Sequence, residues 1–225
     1  MRILLTSGGT REYIDAARCI TNVSTGRTGR VLAERLAGRG CDTVCLCAEG
    51  AEVPSGRGVS VERFSSFLDL DRALKRLLKA RAFDAVIHLA AVSDYSPAII
   101  EAGGKRFKPG RDSKIDSQAA EIKLVLKRNF KIIDRLKKYA AEGKQPEPLL
   151  IGFKLTSGAA DELITKKVRD LGAADLVVHN DLAEMKKDHI FHVYKNGART
   201  ADCRGPEELA ALLYAAVKEK EAVCS

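Results

Sequence analysis

Residues 6–29 read Thr-Ser-Gly-Gly-Thr-Arg-Glu-Tyr-Ile-Asp-Ala-Ala-Arg-Cys-Ile-Thr-Asn-Val-Ser-Thr-Gly-Arg-Thr-Gly. The apolar run at 3–5 enters Gly8-Gly9 directly, and a second small-residue run, 24–29, opens a helix. Backbone N–H groups at such turns and helix starts can point at phosphate oxygens. Arg18 and Asn22, a cation and an amide, stand between the two runs. The segment reads as an anion-binding crevice with polar groups beside it.

The elements that must position this crevice alternate along the chain. A strand at 2–6 precedes a helix over 28–39, with Val31, Leu32 and Leu36 on one face and Gly38 and Gly40 at its close. A strand at 43–48 is followed by a helix over 66–80 carrying Leu70, Leu74, Leu77 and Leu78, its first turn aided by Asp69 or Asp71. The apolar run 85–92 reads as a buried parallel strand. Residues 95–125 break the alternation with Pro97, Pro109, Gly103-Gly104 and many lysines, and read as a flap. A helix over 130–141, a strand at 149–155, a helix over 160–171 and a strand at 175–179 follow. Strands at 190–195 and 198–202 form a hairpin, because Asn196-Gly197 supplies the positive-φ turn. A helix over 207–220 closes the chain. No internal repeat or linker is visible, so residues 1–225 read as one domain. The expected class is α/β: a Rossmann-like, mostly parallel sheet with helices on both faces, a flap and a C-terminal hairpin.

Ligands of such sheets lie at the carboxyl ends of the strands. Those ends carry Ser7-Gly8-Gly9, Ala90-Ala91-Val92-Ser93-Asp94, Gly152-Phe153-Lys154 and His179-Asn180-Asp181. Small residues admit a ligand to the backbone, and Asp94, Lys154, Asn180 and Asp181 add polar groups. Each piece alone has an ordinary alternative. Gly8 and Gly9 also suit a plain βα turn, Asp94 a turn cap, Lys114 a solvated flap and Asn22 an Asx turn. The dinucleotide motif G-x-G-x-x-G does not follow the first strand, and no P-loop is present. Tyr214 and Lys218 have dehydrogenase spacing but sit on the closing helix, far in sequence from the sheet edge.

Bulk properties narrow the function classes. The net charge of +8 fits small phosphorylated ligands; aromatics at 5% and dispersed basic residues argue against nucleic acid. No apolar run is long enough for a membrane span, and the N-terminus shows no signal-peptide pattern, so a cytoplasmic protein is expected. Cys41, Cys45 and Cys47 share one face of the strand at 43–48 and its approach, which reads as buried free thiols rather than a metal cluster. His88, His179, His189 and His192 lack ligand spacing, so no metal-ligating residue is assigned.

Taken together, the motifs resemble the phosphopantothenoylcysteine synthetase (phosphopantothenate–cysteine ligase) family. The residues that carry the resemblance are Thr6-Ser7-Gly8-Gly9-Thr10-Arg11-Glu12, Arg18-Cys19-Ile20-Thr21-Asn22-Val23-Ser24-Thr25-Gly26, Ala90-Ala91-Val92-Ser93-Asp94-Tyr95, Lys114-Ile115, Gly152-Phe153-Lys154 and 174–182. They fall in the family's order and span nearly the whole chain. The chain looks like the single-domain bacterial form, which implies a separate decarboxylase.

The resemblance implies a two-step ligation in coenzyme A biosynthesis. The carboxylate of 4′-phosphopantothenate attacks the α-phosphate of CTP, with Mg²⁺, and pyrophosphate leaves; the L-cysteine amine then displaces CMP. Lys114 matches the flap lysine of the first step and Asn22 the asparagine that holds the acyl-nucleotide. Gly9, Ser24, Gly26 and Gly29 match the phosphate cradle, which Gly8 adjoins, and Phe153 and Asn180 match positions around base and ribose. Ala90, Ala91 and Asp94 match the pantothenate wall, with Asp94 also near the nucleotide. Arg18 matches an arginine that reaches the partner's site, which implies a homodimer, and Lys167 matches a further phosphate contact. Two departures stand out. The flap reads Lys114-Ile115-Asp116-Ser117 where many relatives have Lys-Ile-Lys-Lys. Asn129 is followed by Phe130 where many have Asn-Pro, in a region that reads the base, so ATP remains open beside CTP. The competing expectation is an NAD(P)-binding oxidoreductase or nucleotide sensor on the same sheet.

Overall fold

The first strand, β1 (Arg2–Ser7), is apolar on both faces: Ile3 and Leu5 enter one hydrophobic cluster and Leu4 another, all fully buried. Such a strand needs helices on both sides. Residues 1–225 are described by a computed structural model, apart from Ser113, Ser117, Lys186 and Ser225 and the side chains of Val223 and Cys224. A small hairpin, β2 (Arg11–Tyr13) and β3 (Cys19–Thr21), follows β1 before helix α1 (Arg27–Ala37). Then come β4 (Asp42–Ala48), β5 (Val59–Phe64), α2 (Phe67–Ala80) and β6 (Ala85–His88). The flap comprises β7 (Tyr95–Ala102), β8 (Lys105–Phe107) and β9 (Ile122–Arg128). A 3₁₀ turn, Ile132–Arg135, leads into α3 (Leu136–Glu142). The chain ends with β10 (Leu149–Thr156), α4 (Asp161–Arg169), β11 (Leu176–Asp181), the short α5 (Leu182–Met185), β12 (Ile190–Lys195), β13 (Ala198–Arg204) and α6 (Gly205–Cys224).

The central eight-stranded sheet has the order β13-β12-β11-β10-β6-β1-β4-β5. From β5 to β11 all neighbours are parallel, and β12 and β13 add an antiparallel hairpin at the edge. The chain moves outward from β1 to β4 and β5, then returns to place β6 on the other side of β1. Adjacent strands therefore diverge in connection at β1 and β6, the switch point where such sheets open a crevice. Helices α1 and α6 cover one face through Leu32, Leu36, Leu209 and Leu213. Helices α2 and α3 cover the other through Leu70, Leu74 and Leu136. Cys41, Cys45 and Cys47 lie in the α1/α6 layer, with the sulfurs of Cys45 and Cys47 3.2 Å apart.

Local chemistry fixes several boundaries. Ser66 and Asp69 cap α2 reciprocally: Asp69 N–H donates to Ser66 Oγ at 3.2 Å and Ser66 N–H to Asp69 Oδ2 at 3.0 Å. Asn196 (φ 53°) and Gly197 (φ 77°) turn the C-terminal hairpin as expected.

Several elements differ from the sequence expectation, among them the unforeseen β2–β3 hairpin and the short α5. Strand β5 was not anticipated, because Val-Ser-Val-Glu-Arg-Phe is an edge strand whose exposed positions dilute its apolar signal. The run 85–92 is a strand only to His88; beyond it the chain becomes cleft wall. The expected helix over 130–141 begins with a 3₁₀ turn. The flap is itself a three-stranded antiparallel sheet, with Ile100 and Ala102 buried against Ile115 and Ile14.

Two outcomes follow from this packing. A Cβ at Gly29 would lie 2.2 Å from Ser7 Oγ and 2.6 Å from Ser7 Cβ, so α1 can approach β1 only through glycine. Gly29→Ala should cost about 1–3 kcal/mol in urea denaturation; an unchanged midpoint would refute the close approach. Burial lowers the basicity of His179 and His189 and pushes His88 from its ordinary 6.5 down to about 4. The unfolded chain then binds these protons first, so stability should fall as pH drops from about 6.5 towards about 4. His88→Gln should flatten that slope by up to about 1.4 kcal/mol per pH unit. An unaltered slope across urea titrations would mean that His88 binds its proton as readily in the folded chain as in the unfolded one.

Candidate functional site

Beyond the β1/β6 pairing the two strand ends stay joined, and the join forms the cleft floor. Thr6 Oγ1 accepts from Ala90 N–H at 3.1 Å and lies 3.0 Å from His88 Nδ1. Ala91 N–H donates to Gly8 O at 2.9 Å, and Thr10 N–H to Ala91 O at 3.2 Å. Gly8 has φ +88°, and a Cβ there would lie 2.6 Å from Ala48 Cβ and 2.7 Å from Ala51 Cβ, so no side chain fits. The cleft above has a volume of about 780 Å³.

One wall is the segment 21–29, which leads into α1. Gly26 (φ +78°) begins the helix without a side chain to cap it; Arg27 N–H donates to Thr25 Oγ1 at 3.3 Å, and the following first-turn N–H groups of Thr28 and Gly29 face the cleft end of the helix, where an anion can meet them. Ser7 Oγ donates to Gly26 O at 3.1 Å and ties this wall to β1. Asn22 is exposed, and its Nδ2 donates to Val92 O at 3.1 Å and Ala91 O at 3.4 Å. The opposite wall carries Phe130, Phe153, Lys154, Asn180 and Met185. Phe130 packs edge-on against Phe67 at 4.9 Å, with the Arg135 guanidinium 3.3 Å from its ring centre. Asn180 Nδ2 contacts Met185 Sδ at 3.1 Å.

The cleft is electropositive. Arg27, Lys131 and Lys154 line it, and among the described residues Asp94 is its one carboxylate. Burial lowers the Lys154 pKa, and the nearby Lys167 and Lys131 lower it further, against the opposing pull of Asp94. Such a cluster favours a polyanion that restores the charge balance. The sequence reading did not single out Arg27, Lys131 or Met185; only their place at strand or helix ends beside the cleft gives them away.

Of the site residues expected from sequence, Gly8, Asn22, Ser24, Gly26, Gly29, Ala90, Ala91, Asp94, Phe130, Phe153 and Asn180 line this one cleft. Four do not line it. Gly9 is buried beside the wall, where a Cβ would meet Asn22 O at 2.4 Å, so its lack of a side chain serves packing. Lys167 acts on Lys154 through its charge without lining the cleft. Arg18 is bound to Asp15, through Nε at 3.0 Å and Nη2 at 2.6 Å, and Nη2 also donates to Ile115 O at 2.7 Å. Lys114 is exposed on the flap, and Ser117 of its motif lies outside the described residues.

The dinucleotide alternative meets two obstacles. A dinucleotide-binding sheet holds the ribose with an acid at the end of its second strand. The counterpart here, Glu49 after β4, is occupied by Ser65 Oγ at 3.0 Å and Arg111 Nη2 at 3.0 Å. Tyr214 and Lys218 stack on each other along α6, with the ammonium 5.6 Å from the ring centre, and neither lines the cleft.

Comparisons with known proteins agree with this geometry. The coenzyme A biosynthesis bifunctional protein CoaBC of Thermococcus kodakarensis is 37% identical over 186 residues, covering 80% of this chain and 41% of that protein. The chain thus spans about two fifths of the length of that curated relative. The crystal structure of the DNA/pantothenate metabolism flavoprotein from Streptococcus pneumoniae superposes with a TM-score of 0.83 at 28% identity, covering 97% of this chain and 99% of that one. A Cab2 variant, solved with phosphopantothenate-cysteine, has a TM-score of 0.74 at 19% identity, covering 99% of this chain and 88% of that one, a likeness of fold. The family described as DNA/pantothenate metabolism flavoprotein C-terminal domain matches residues 1–220. An α/β chain with this switch-point cleft, matched over nearly its whole length, belongs to the DNA/pantothenate metabolism flavoprotein C-terminal domain family.

Proposed function

We propose that this chain is a phosphopantothenate–cysteine ligase, joining 4′-phosphopantothenate to L-cysteine through an acyl-nucleotide formed from CTP. One observation carries the reading: a single electropositive cleft, in a chain of the pantothenate-metabolism family, gathers Asn22, Asp94, the α1 N-terminus and an aromatic pocket. The relatives' names support the substrates, since CoaBC serves coenzyme A biosynthesis and Cab2 was solved with phosphopantothenate-cysteine.

The chemistry fits the charges. A carboxylate attacking a triphosphate is an encounter of anions, so fixed donors must offset the repulsion. In this reading the α1 amides with Ser24, Gly26 and Gly29 hold phosphates, and Phe130, Phe153 and Asn180 enclose base and ribose. Ala90 and Ala91 form a smooth wall for the pantothenate arm. Lys114 brings an ammonium to the α-phosphate as pyrophosphate departs. Asn22 holds the acyl-nucleotide for the cysteine amine. Its Nδ2 must first leave the Ala91 and Val92 carbonyls, or its Oδ1 must accept from the incoming amine.

Among the described residues no cluster of His, Cys, Asp or Glu forms a metal cage. That donor set suits Mg²⁺ carried on the triphosphate, which needs one or two protein carboxylates at most. Asp94 is the carboxylate available to it, and the ion would neutralise phosphate charge. A homodimer is part of the reading. The flap sheet exposes apolar side chains, with Ile99 and Val125 paired across β7 and β9, that a second copy would cover. A partner site would receive Arg18 only on release of its contacts to Asp15 and Ile115.

The deciding assay is pyrophosphate release with CTP, Mg²⁺ and 4′-phosphopantothenate, with and without L-cysteine, repeated with ATP. Turnover that depends on cysteine supports the ligase, and the CTP/ATP ratio reads the base preference. No release with either nucleotide, together with a thermal shift by NADPH, would favour the dinucleotide sensor. Asn22→Asp should still release pyrophosphate while product formation stalls. Lys114→Gln should lose about 10²–10³ in pyrophosphate release itself. Equal loss of both steps in both variants would contradict the assigned roles.

A further inference from the structure

The β2–β3 hairpin is bound to the flap on both sides of Lys114. On one side, Gly110 N–H donates to Ile14 O at 3.3 Å. The Arg111 guanidinium stacks 4.0 Å from the Tyr13 ring centre and donates to Tyr13 Oη, to Ser65 Oγ at 2.6 Å and to Glu49 Oε2 at 3.0 Å. On the other side, Ile115 N–H donates to Asp15 Oδ2 at 3.1 Å while Ile115 O accepts from Arg18. The Ile115 side chain is 2% exposed and shares a cluster with Ile14. Lys114 itself stays exposed.

Asp15 is the centre of this arrangement. Its carboxylate is fully buried and accepts from Arg18 Nε and Nη2, from Ile115 N–H, from Ala17 N–H at 2.9 Å and from Arg18 N–H at 2.8 Å. The Arg18 ion pair, aided by those backbone donors, holds it well below the usual carboxylate range, so it stays charged in all ordinary conditions. The same hairpin ends one residue before Asn22, whose amide grips the cleft wall at Val92. Three residues of hairpin therefore separate the flap clasp at Arg18 from Asn22. Nothing in the proposed chemistry uses Asp15, Tyr13 or Arg111, yet all are spent on holding the flap.

We propose that the β2–β3 hairpin is a dock for the flap, and that Asp15 and the Tyr13–Arg111 stack are positioning groups that set Lys114 relative to Asn22. This rests on the ligase reading for the roles of Lys114 and Asn22. The docking itself does not. Misplacing a reacting group by about 1 Å costs on the order of 10² in rate, so loosening the dock should act on the step that needs Lys114.

The test combines hydrogen exchange with kinetics on the full chain. In Asp15→Asn, exchange of the Ile115 amide should accelerate at least about tenfold, because the ion pair with Arg18 is lost. The kcat for pyrophosphate release should fall about 10- to 100-fold with the nucleotide KM within about twofold. Added to Lys114→Gln, Asp15→Asn should have no further effect, since both act through one ammonium. Unchanged Ile115 protection, a change in KM alone, or full additivity with Lys114→Gln would overturn the proposal. Should Asp15→Asn not fold, Arg111→Gln, at a half-exposed anchor, carries the same three readouts. If wild-type protein releases no pyrophosphate, the ligase reading fails while the exchange result still decides whether the hairpin holds the flap.

Discussion

The pairing of β1 with β6 is the constraint on which the rest depends. Parallel strands whose connections run in opposite directions leave a gap above their carboxyl ends. Backbone polar groups there would be stranded without partners. The chain meets that requirement with Thr6 Oγ1, Gly8 O and Ala91 N–H, which carry the register past the last strand residues. Only small residues tolerate the closeness, so Gly8, Gly29, Ala90 and Ala91 are consequences of the fold before they are features of a site. The cleft is the space this solution leaves.

Charge is distributed to match. Around the cleft the cations sit on separate elements: Arg27 on α1, Lys131 before the 3₁₀ turn, Lys154 on β10. Spreading them limits mutual repulsion while summing their fields over one volume. Three carboxylates outside the cleft are tied up instead: Asp15 by Arg18, Glu49 by Arg111 and Ser65, and Asp181 by Thr156 Oγ1 at 2.5 Å and Gly158 N–H at 2.9 Å. An acidic cofactor or substrate therefore meets few competing anions.

Much of this was legible in the sequence, for identifiable reasons. The buried strands β1, β4, β6, β10 and β11 are apolar runs bounded by turn residues, and Asn196-Gly197 marks its hairpin unambiguously. Gly8, Ala90, Ala91, Asp94, Phe153 and Asn180 are legible because they follow strand ends, whereas Asn22, Ser24, Gly26 and Gly29 are legible from the small-residue run that opens α1. The flap sheet, by contrast, pairs Pro97-bearing β7 with lysine-rich β9, so its polar face hides the alternation of Ile100, Ala102, Ile122 and Leu124. The β2–β3 hairpin has three-residue strands, too short for any period to register. Gly9 matches a phosphate-cradle position by resemblance, but that its missing side chain also makes room for Asn22 O is a property of the folded chain that its residue type does not show. Arg18 carried no sequence sign that Asp15 would hold it.

The thiols have a practical consequence. Cys41, Cys45, Cys47 and Cys203 are shielded in the core, whereas Cys19 on β3 is exposed. A maleimide or a spin label would therefore react first, among the described side chains, at one native position, three residues from Asn22 and on the strand that follows Arg18. The chain carries a built-in handle on its hairpin whose local mobility could be followed during turnover without an engineered cysteine.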